Sequence, residues 1–188
     1  MTQPFFTIIT ATFDQRPKSL TRAVTSIQNQ TYQDYEHILA FQDYSFLTFN
    51  DYKINPLICK NCTEWGNKQK NDALKIAKGK WIIFLDDDNI LHPNALACLH
   101  QLSQKHPKAK VIYSAIDYNG ARILRPNNLR CGHVDLLNWC IQTELAKTEN
   151  YPLLGRAADF NYFKKLATRQ PIIINNDTII GVHGLPIG

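Results

Sequence analysis

The sequence predicts an α/β fold: a mainly parallel sheet with helices on both faces and a small antiparallel part appended. Three observations predict it. Apolar, β-rich runs alternate with helical patterns through the first half. One of those runs, WIIFL at 81–85, is apolar at every position, as in a strand covered on both faces. The second half is less regular, with short strand-like segments. The 188 residues, 44% hydrophobic and 20% charged, suffice for one such domain with a sizeable core.

Taken in order, residues 5–12 (FFTIITAT) form the first strand. Pro17 then opens a helix whose Leu20, Ala23, Val24 and Ile27 fall at i, i+3, i+4 and i+7. Residues 35–41 give a second strand, 54–59 a short third, and 67–78 a helix ended by Gly79. The fourth strand is 81–85, and Pro93 starts another helix with Leu96, Leu99 and Leu102 on one side. The first half therefore reads β-α-β-β-α-β-α, whose parallel strands need helical crossovers. Beyond it, 110–116 predicts a strand, 121–124 its hairpin partner, 133–141 another strand, 158–168 a helix and 171–182 two short strands. No repeat, low-complexity tract or linker divides the chain. Residues 1–188 read as one domain, with a nucleotide-binding half (1–99) and an appended half (100–188).

Charge and composition exclude several function classes. The net charge of +5 is spread along the chain with no basic block, which argues against a nucleic-acid arm or a polybasic membrane anchor. No apolar run approaches the roughly 18 residues that span a bilayer. MTQPFFTIITATF lacks a cationic leader region and a small-residue cleavage site, so the expected location is cytoplasmic. The five cysteines are irregularly spaced; Cys59 and Cys62 form one C-x-x-C without a second close pair, which favours reduced, inert thiols over a zinc site. The sequence leaves a homo-oligomer open.

The chemistry is concentrated in WIIFLDDDNILHP, 81–93, where three consecutive carboxylates follow an apolar strand. Neighbouring aspartates repel, so the cluster is costly unless a cation or an array of donors neutralises it. In an open parallel sheet, ligands bind beyond the carboxyl ends of the strands. That places Thr10 and Thr12 after the first strand, Asp43 after the second, and Asp86, Asp87 and Asp88 after the fourth, around one site. An Asp after a strand also commonly caps a turn, which is the plain alternative for Asp43 alone but a poor one for three in succession. Oxygen ligands without adjacent His or Cys favour Mg²⁺ or Mn²⁺. A calcium EF-hand loop fails, because Ile90 and Leu91 occupy its fifth and sixth positions. Such an ion usually completes its shell with substrate phosphates, so the aspartates imply a nucleotide diphosphate.

FTIITATFDQRPKSLTRAVTSIQNQTYQDYEHILAFQDYS resembles the opening of the family 2 glycosyltransferases with the GT-A fold, and KNDALKIAKGKWIIFLDDDNILHPNAL resembles their Arg-Asn-x-Gly segment running into the D-x-D motif. The resemblance implies an inverting transferase that takes a nucleotide-diphosphate sugar as donor, a glycan or other hydroxyl compound as acceptor, and Mn²⁺ or Mg²⁺ as cofactor. Thr10, Ala11 and Thr12 would line the base pocket, with Asp43 on base or ribose and Lys70 near base or phosphates. Asp86, with Asp87, would serve the ribose side, and Asp88 the metal.

GRAADFNYFKKLA, 155–167, resembles the family's E-D-x-x-x-x-x-R-L segment, which puts Asp159 in the place of the general base and Ala158 where Glu is usual. A carboxylate at a helix start is held ionised by the dipole and suits that role, although capping alone also explains an Asp there. His183 in GVHGLP matches a His near metal and diphosphate in some members, whereas a lone His before Gly is commonly a turn residue. Asp135 and Asn138 in GHVDLLNWC match the acceptor side. The chain departs from the family at Lys70, which lacks the fork of the usual Arg, at Gln42 in place of an acid, and at Ala73 in place of Gly.

Two other readings share part of this pattern. A nucleotidyltransferase of related fold would need a Gly-rich triphosphate loop, and ATFDQRPKS contains no glycine. A non-catalytic sugar-nucleotide-binding or interaction module would accommodate the short length and Ala158.

Overall fold

The structure is a computed structural model that describes residues 3–12, 17–42, 51, 53–62, 64–126, 129–153, 155, 157–168 and 170–184. Strands β1 (Phe6–Ala11), β2 (Tyr35–Phe41), β3 (Ile54–Ile58) and β4 (Trp81–Phe84) form a parallel block in the order β3-β2-β1-β4. The sheet then continues through β8 (Trp139–Gln142), β6 (Val111–Tyr118), β9 (Ile172–His183) and β5 (Ile90–Leu91), with β7 (Arg122–Leu124) paired to β6. In this appended part β4-β8, β8-β6, β6-β7 and β9-β5 are antiparallel, and only β6-β9 is parallel.

Helices α1 (Pro17–Gln28) and α3 (Ala95–Lys105) cover one face, and α2 (Asn67–Ile76) and α5 (Ala158–Ala167) the other; α4 (Thr143–Ala146) is a single turn after β8. The alternation of a strand decides which side chain meets which layer. Phe6, Ile8, Trp81 and Ile83 pack with Ala23 and Ile27 of α1 and Leu96 and Leu99 of α3. Ile9, Ile82 and Phe84 pack with Ala73 and Leu74 of α2 and Tyr162, Phe163 and Leu166 of α5. Trp139 is sandwiched between Tyr113 and Phe163, with centroids at 4.1 and 4.5 Å, which fixes α5 on the sheet and hence its first turn above the strand ends.

Glu36 ties the parallel block together from inside. Its carboxylate accepts from the Thr7 hydroxyl at 2.6 Å, the Lys78 N–H at 2.6 Å, the Gly79 N–H at 3.2 Å and Asn55 Nδ2 at 3.2 Å. These donors provide the compensation that a buried carboxylate requires.

Three elements differ from the sequence expectation. Residues 133–141 are not one strand: Asp135 accepts from the Leu137 N–H at 2.9 Å and caps a 3-10 turn at 136–138, so the strand begins only at Trp139. In place of two short strands over 171–182, residues 172–183 form one long strand, in which the polar NND segment is absorbed by register shifts against β6 instead of breaking the pairing. The helix expected from Pro93 begins at Ala95, after Asn94.

Candidate functional site

The short strand β5 follows directly on the aspartate run, and its pairing with β9 (Ile90 with Val182, Leu91 with Gly181) carries His183 to the same end of the sheet. That pairing demands glycine at 181, because a Cβ there would lie 2.3 Å from the Ile90 carbonyl oxygen. Asn89, fully buried, accepts from the Gly184 N–H at 2.9 Å and locks the crossing.

At this end of the sheet lies a cleft of about 610 Å³ whose lining includes Ala11, Lys70, Asp86, Asp88, Asp159 and His183. Asp87 and Asp135 also line it. Lys70, buried on α2, reaches Asp86 Oδ1 at 2.9 Å and donates to the Trp65 carbonyl at 3.1 Å. Burial disfavours its charge, but Asp86, Asp159 and Asp135 outweigh that and raise its pKa, so it is a cation at all ordinary pH values. The Thr12 hydroxyl donates to Asp87 Oδ2 at 2.7 Å, and both residues are buried.

Asp159 lies in the first turn of α5, one residue inside Ala158, and the N-cap is Ala157, which makes no side-chain cap bond. Its carboxylate instead accepts from the Tyr151 hydroxyl. Burial raises its pKa, opposed by the Lys70 charge and the Tyr151 hydrogen bond. Tyr151 is itself held from α2: Asn71 Oδ1 accepts from its N–H at 2.8 Å, and Asn71 Nδ2 donates to its carbonyl at 2.9 Å. The sequence gives neither residue a role, although Asn71 is the Asn of the Arg-Asn-x-Gly-like segment. Asn71 and Tyr151 are 80 positions apart, and no periodicity links them.

His183 Nε2 lies 3.1 Å from Asp135 Oδ2, and its ring stacks on Tyr118 at 4.3 Å. Burial lowers the pKa of His183, opposed by Asp88, Asp86 and Asp159, and its Nδ1 is buried without a hydrogen-bond partner. A neutral ring that donates its Nε2–H in a hydrogen bond to Asp135 leaves a lone pair on Nδ1. Burial raises the Asp135 carboxyl well above the usual range, with the charges of Asp159 and Asp86 adding to the effect.

Two expected site residues fall elsewhere, and a third is not among the described ones. The Thr10 side chain is fully buried and pairs with His37 Nε2 at 2.9 Å between β1 and β2. Asn138 is also fully buried; it accepts from the Asp135 N–H at 2.9 Å and donates to the Ser114 carbonyl at 2.7 Å, which makes it a brace for the turn and not part of the cleft wall. Asp43 lies outside the described residues. The Cys59 thiol is buried and pushed up to about 11, which keeps it protonated and suits the inert reading.

Among the described residues, no three His, Cys, Asp or Glu side chains are gathered closely enough to hold a metal by themselves. The donors on the cleft wall, the Asp88 carboxylate and the orphaned His183 Nδ1, nevertheless fit a cation of the Mg²⁺ or Mn²⁺ type that takes its remaining ligands from water and phosphate.

The model of the family described as "Glycosyl transferase family 2" matches residues 7–170. The chain belongs to that family. Among its relatives, a GalNAc(5)-diNAcBac-PP-undecaprenol beta-1,3-glucosyltransferase of Campylobacter jejuni is 34% identical over 106 residues, covering 52% of this chain and 34% of the relative. An uncharacterized glycosyltransferase of Methanocaldococcus jannaschii is 26% identical over 131 residues, covering 64% of this chain and 45% of the relative. This chain thus spans less than half the length of these relatives. Among solved structures, S. aureus TarS 1-349 superposes with a TM-score of 0.78 at 17% identity, covering 94% of this chain and 59% of that one. A mannosyltransferase from Pyrobaculum calidifontis in complex with GDP-Man and Mn²⁺ superposes with a TM-score of 0.72 at 16% identity, covering 99% and 58%. The family's mixed α/β fold is therefore the fold of this chain. Among the described residues, no helix is long and apolar enough to cross a membrane.

Proposed function

We propose that the chain transfers a sugar from a nucleotide-diphosphate sugar, UDP-linked in the first instance, to an acceptor hydroxyl, with inversion at the anomeric carbon. The carrying observation is that one cleft holds both the buried Lys70 paired with the half-buried Asp86 of the aspartate run and, on the opposite element, the carboxylate of Asp159. Family membership supports glycosyl transfer, and TarS 1-349 in complex with UDP-GlcNAc, superposing with a TM-score of 0.74, supports the choice of donor class. In this reading residues 1–99 seat the donor and 100–188 the acceptor within one domain.

Lys70 and Asp86 orient the nucleotide, and Asp88 with His183 Nδ1 would hold Mn²⁺ or Mg²⁺. A divalent cation bound there supplies positive charge beside the departing diphosphate. Asp159 accepts the proton of the acceptor hydroxyl as that oxygen attacks the anomeric carbon from the face opposite the diphosphate. Tyr151 positions Asp159, and Asn71 positions Tyr151.

A thermal-shift screen of UDP-, GDP- and dTDP-sugars with and without Mn²⁺ tests the reading. A ligand at 100 times its Kd stabilises by about 2.7 kcal/mol, and the largest shift is expected with a UDP-sugar plus Mn²⁺. No shift with any donor sinks the proposal.

The hydrogen bond from Tyr151 favours the ionised form of Asp159, so Tyr151→Phe raises the pKa of the base. A base acts only when ionised, and the acid limb of kcat/KM is therefore expected to move to higher pH. An acid limb that stays in place in a pH–rate profile counts against this positioning role.

A further inference from the structure

Trp65 stands 65% exposed on the cleft wall, whereas Trp81 and Trp139 are 2% and 1% exposed. Its backbone is left-handed, at φ 67° and ψ 10°, and Gly66 repeats that conformation at φ 68° and ψ 16°. Glycine adopts this region freely; a bulky aromatic residue does so only when its surroundings enforce it. Here they do. The Trp65 carbonyl is held by Lys70 Nζ, which is itself tied to Asp86, and α2 begins two residues on. The indole thus gains little from core packing and sits on a backbone that disfavours it. Strained residues presented to a cleft in this way are a mark of ligand contact.

The tether also indicates which ligand. Trp65 shares Lys70 with Asp86, whereas Tyr118, His183 and Asp135 form a different stretch of the wall. We infer that Trp65 is an aromatic platform on which a flat ring of the nucleotide sugar stacks, either the nucleobase or the apolar face of the sugar. This inference rests on the donor reading of the cleft. Stacking needs only a flat or apolar face on the ligand, and a bidentate polar match is unnecessary.

The test titrates the full chain, in buffer with Mn²⁺, against UDP, GDP, dTDP and their glucose conjugates, read by tryptophan emission and by calorimetry. Because the other tryptophans are buried, the ligand-dependent change in emission is expected to come from Trp65 and to vanish in Trp65→Phe. Trp65→Ala should weaken binding roughly 5- to 150-fold, the range for loss of one stacked ring, and Trp65→Phe far less. Trp65→Gly separates ligand contact from architecture, since it relieves the left-handed strain: its Tm should hold or rise while its affinity falls as in Trp65→Ala. Weakening for a nucleoside diphosphate and its glucose conjugate alike puts the base on the ring; weakening for the conjugate alone puts the sugar there. Equal affinities of parent and Trp65→Ala for both ligands overturn the inference and leave the donor reading intact. A parent protein that binds none of the six overturns both.

Discussion

Asp159→Asn is expected to keep its nucleotide-sugar affinity and lose about 10²- to 10⁴-fold in transfer, the range for a missing general base. The asparagine preserves the shape of the first turn of α5 and can still receive the Tyr151 hydroxyl, so the loss reports proton acceptance and not collapse of the site. The same change should stabilise the protein. Burial lifts the folded-state pKa of Asp159 above its unfolded value. A carboxyl shifted that way costs stability when it ionises: the cost begins as pH rises past the unfolded value and is complete above the folded one. The variant should therefore melt above the parent at pH 8, with the gap closing as pH falls towards about 4 and gone below it. Kinetics with a saturating donor, paired with melting curves at the two pH values, decide the matter. Near-normal transfer by Asp159→Asn would remove the residue from the base role.

Asp88→Ala carries the second large effect. Transfer should drop about 10²- to 10³-fold, as when a single group facing developing charge is removed, and the Mn²⁺-dependent part of the donor-induced thermal shift should disappear. The second readout matters because it needs no turnover. His183→Ala should reduce the same shift, since the orphaned Nδ1 is the other donor on that wall. A Mn²⁺-dependent shift of parental size in Asp88→Ala places the cation elsewhere.

The parts of the fold that were legible in the sequence are those whose signal is local. Leu20, Ala23, Val24 and Ile27 sit at helical spacing, and all four are buried on α1. WIIFL reads as a strand covered on both faces because both faces are covered, by α1 and α3 on one side and α2 and α5 on the other. Where the signal was not local, it misled. VDLLNWC looks like a continuous strand, but a hydrogen bond from the Leu137 N–H to the Asp135 carboxylate outweighs β-propensity and makes a turn. The two-residue β5 is too short to show a period, and it forms because β9 arrives beside it from 90 residues away.

The candidate site follows the same rule. Asp86, Asp87 and Asp88 announce themselves because like charges in succession are costly. Lys70 and Asp159 depended on family likeness, since neither is distinctive in its own neighbourhood. Thr10 follows the strand pattern as expected, yet the alternation of β1 turns its hydroxyl to His37 instead of the cleft. Asn71, Tyr151 and Trp65 received no role, because their significance lies in contacts across the fold or in a backbone angle, and a string of letters encodes neither openly.

In the proposed reaction, helix α2 touches both sides. Lys70 faces the Asp86 carboxylate, while Asn67 and Asn71, one turn apart, grip the carbonyl of Leu153 and both backbone groups of Tyr151. The proposed donor seat and acceptor machinery are thus clasped by neighbouring side chains on a single rod. Hybrid enzymes assembled by swapping the C-terminal portion between relatives must transplant the matching clasp as well, or the proton acceptor will be presented out of line with the sugar it serves.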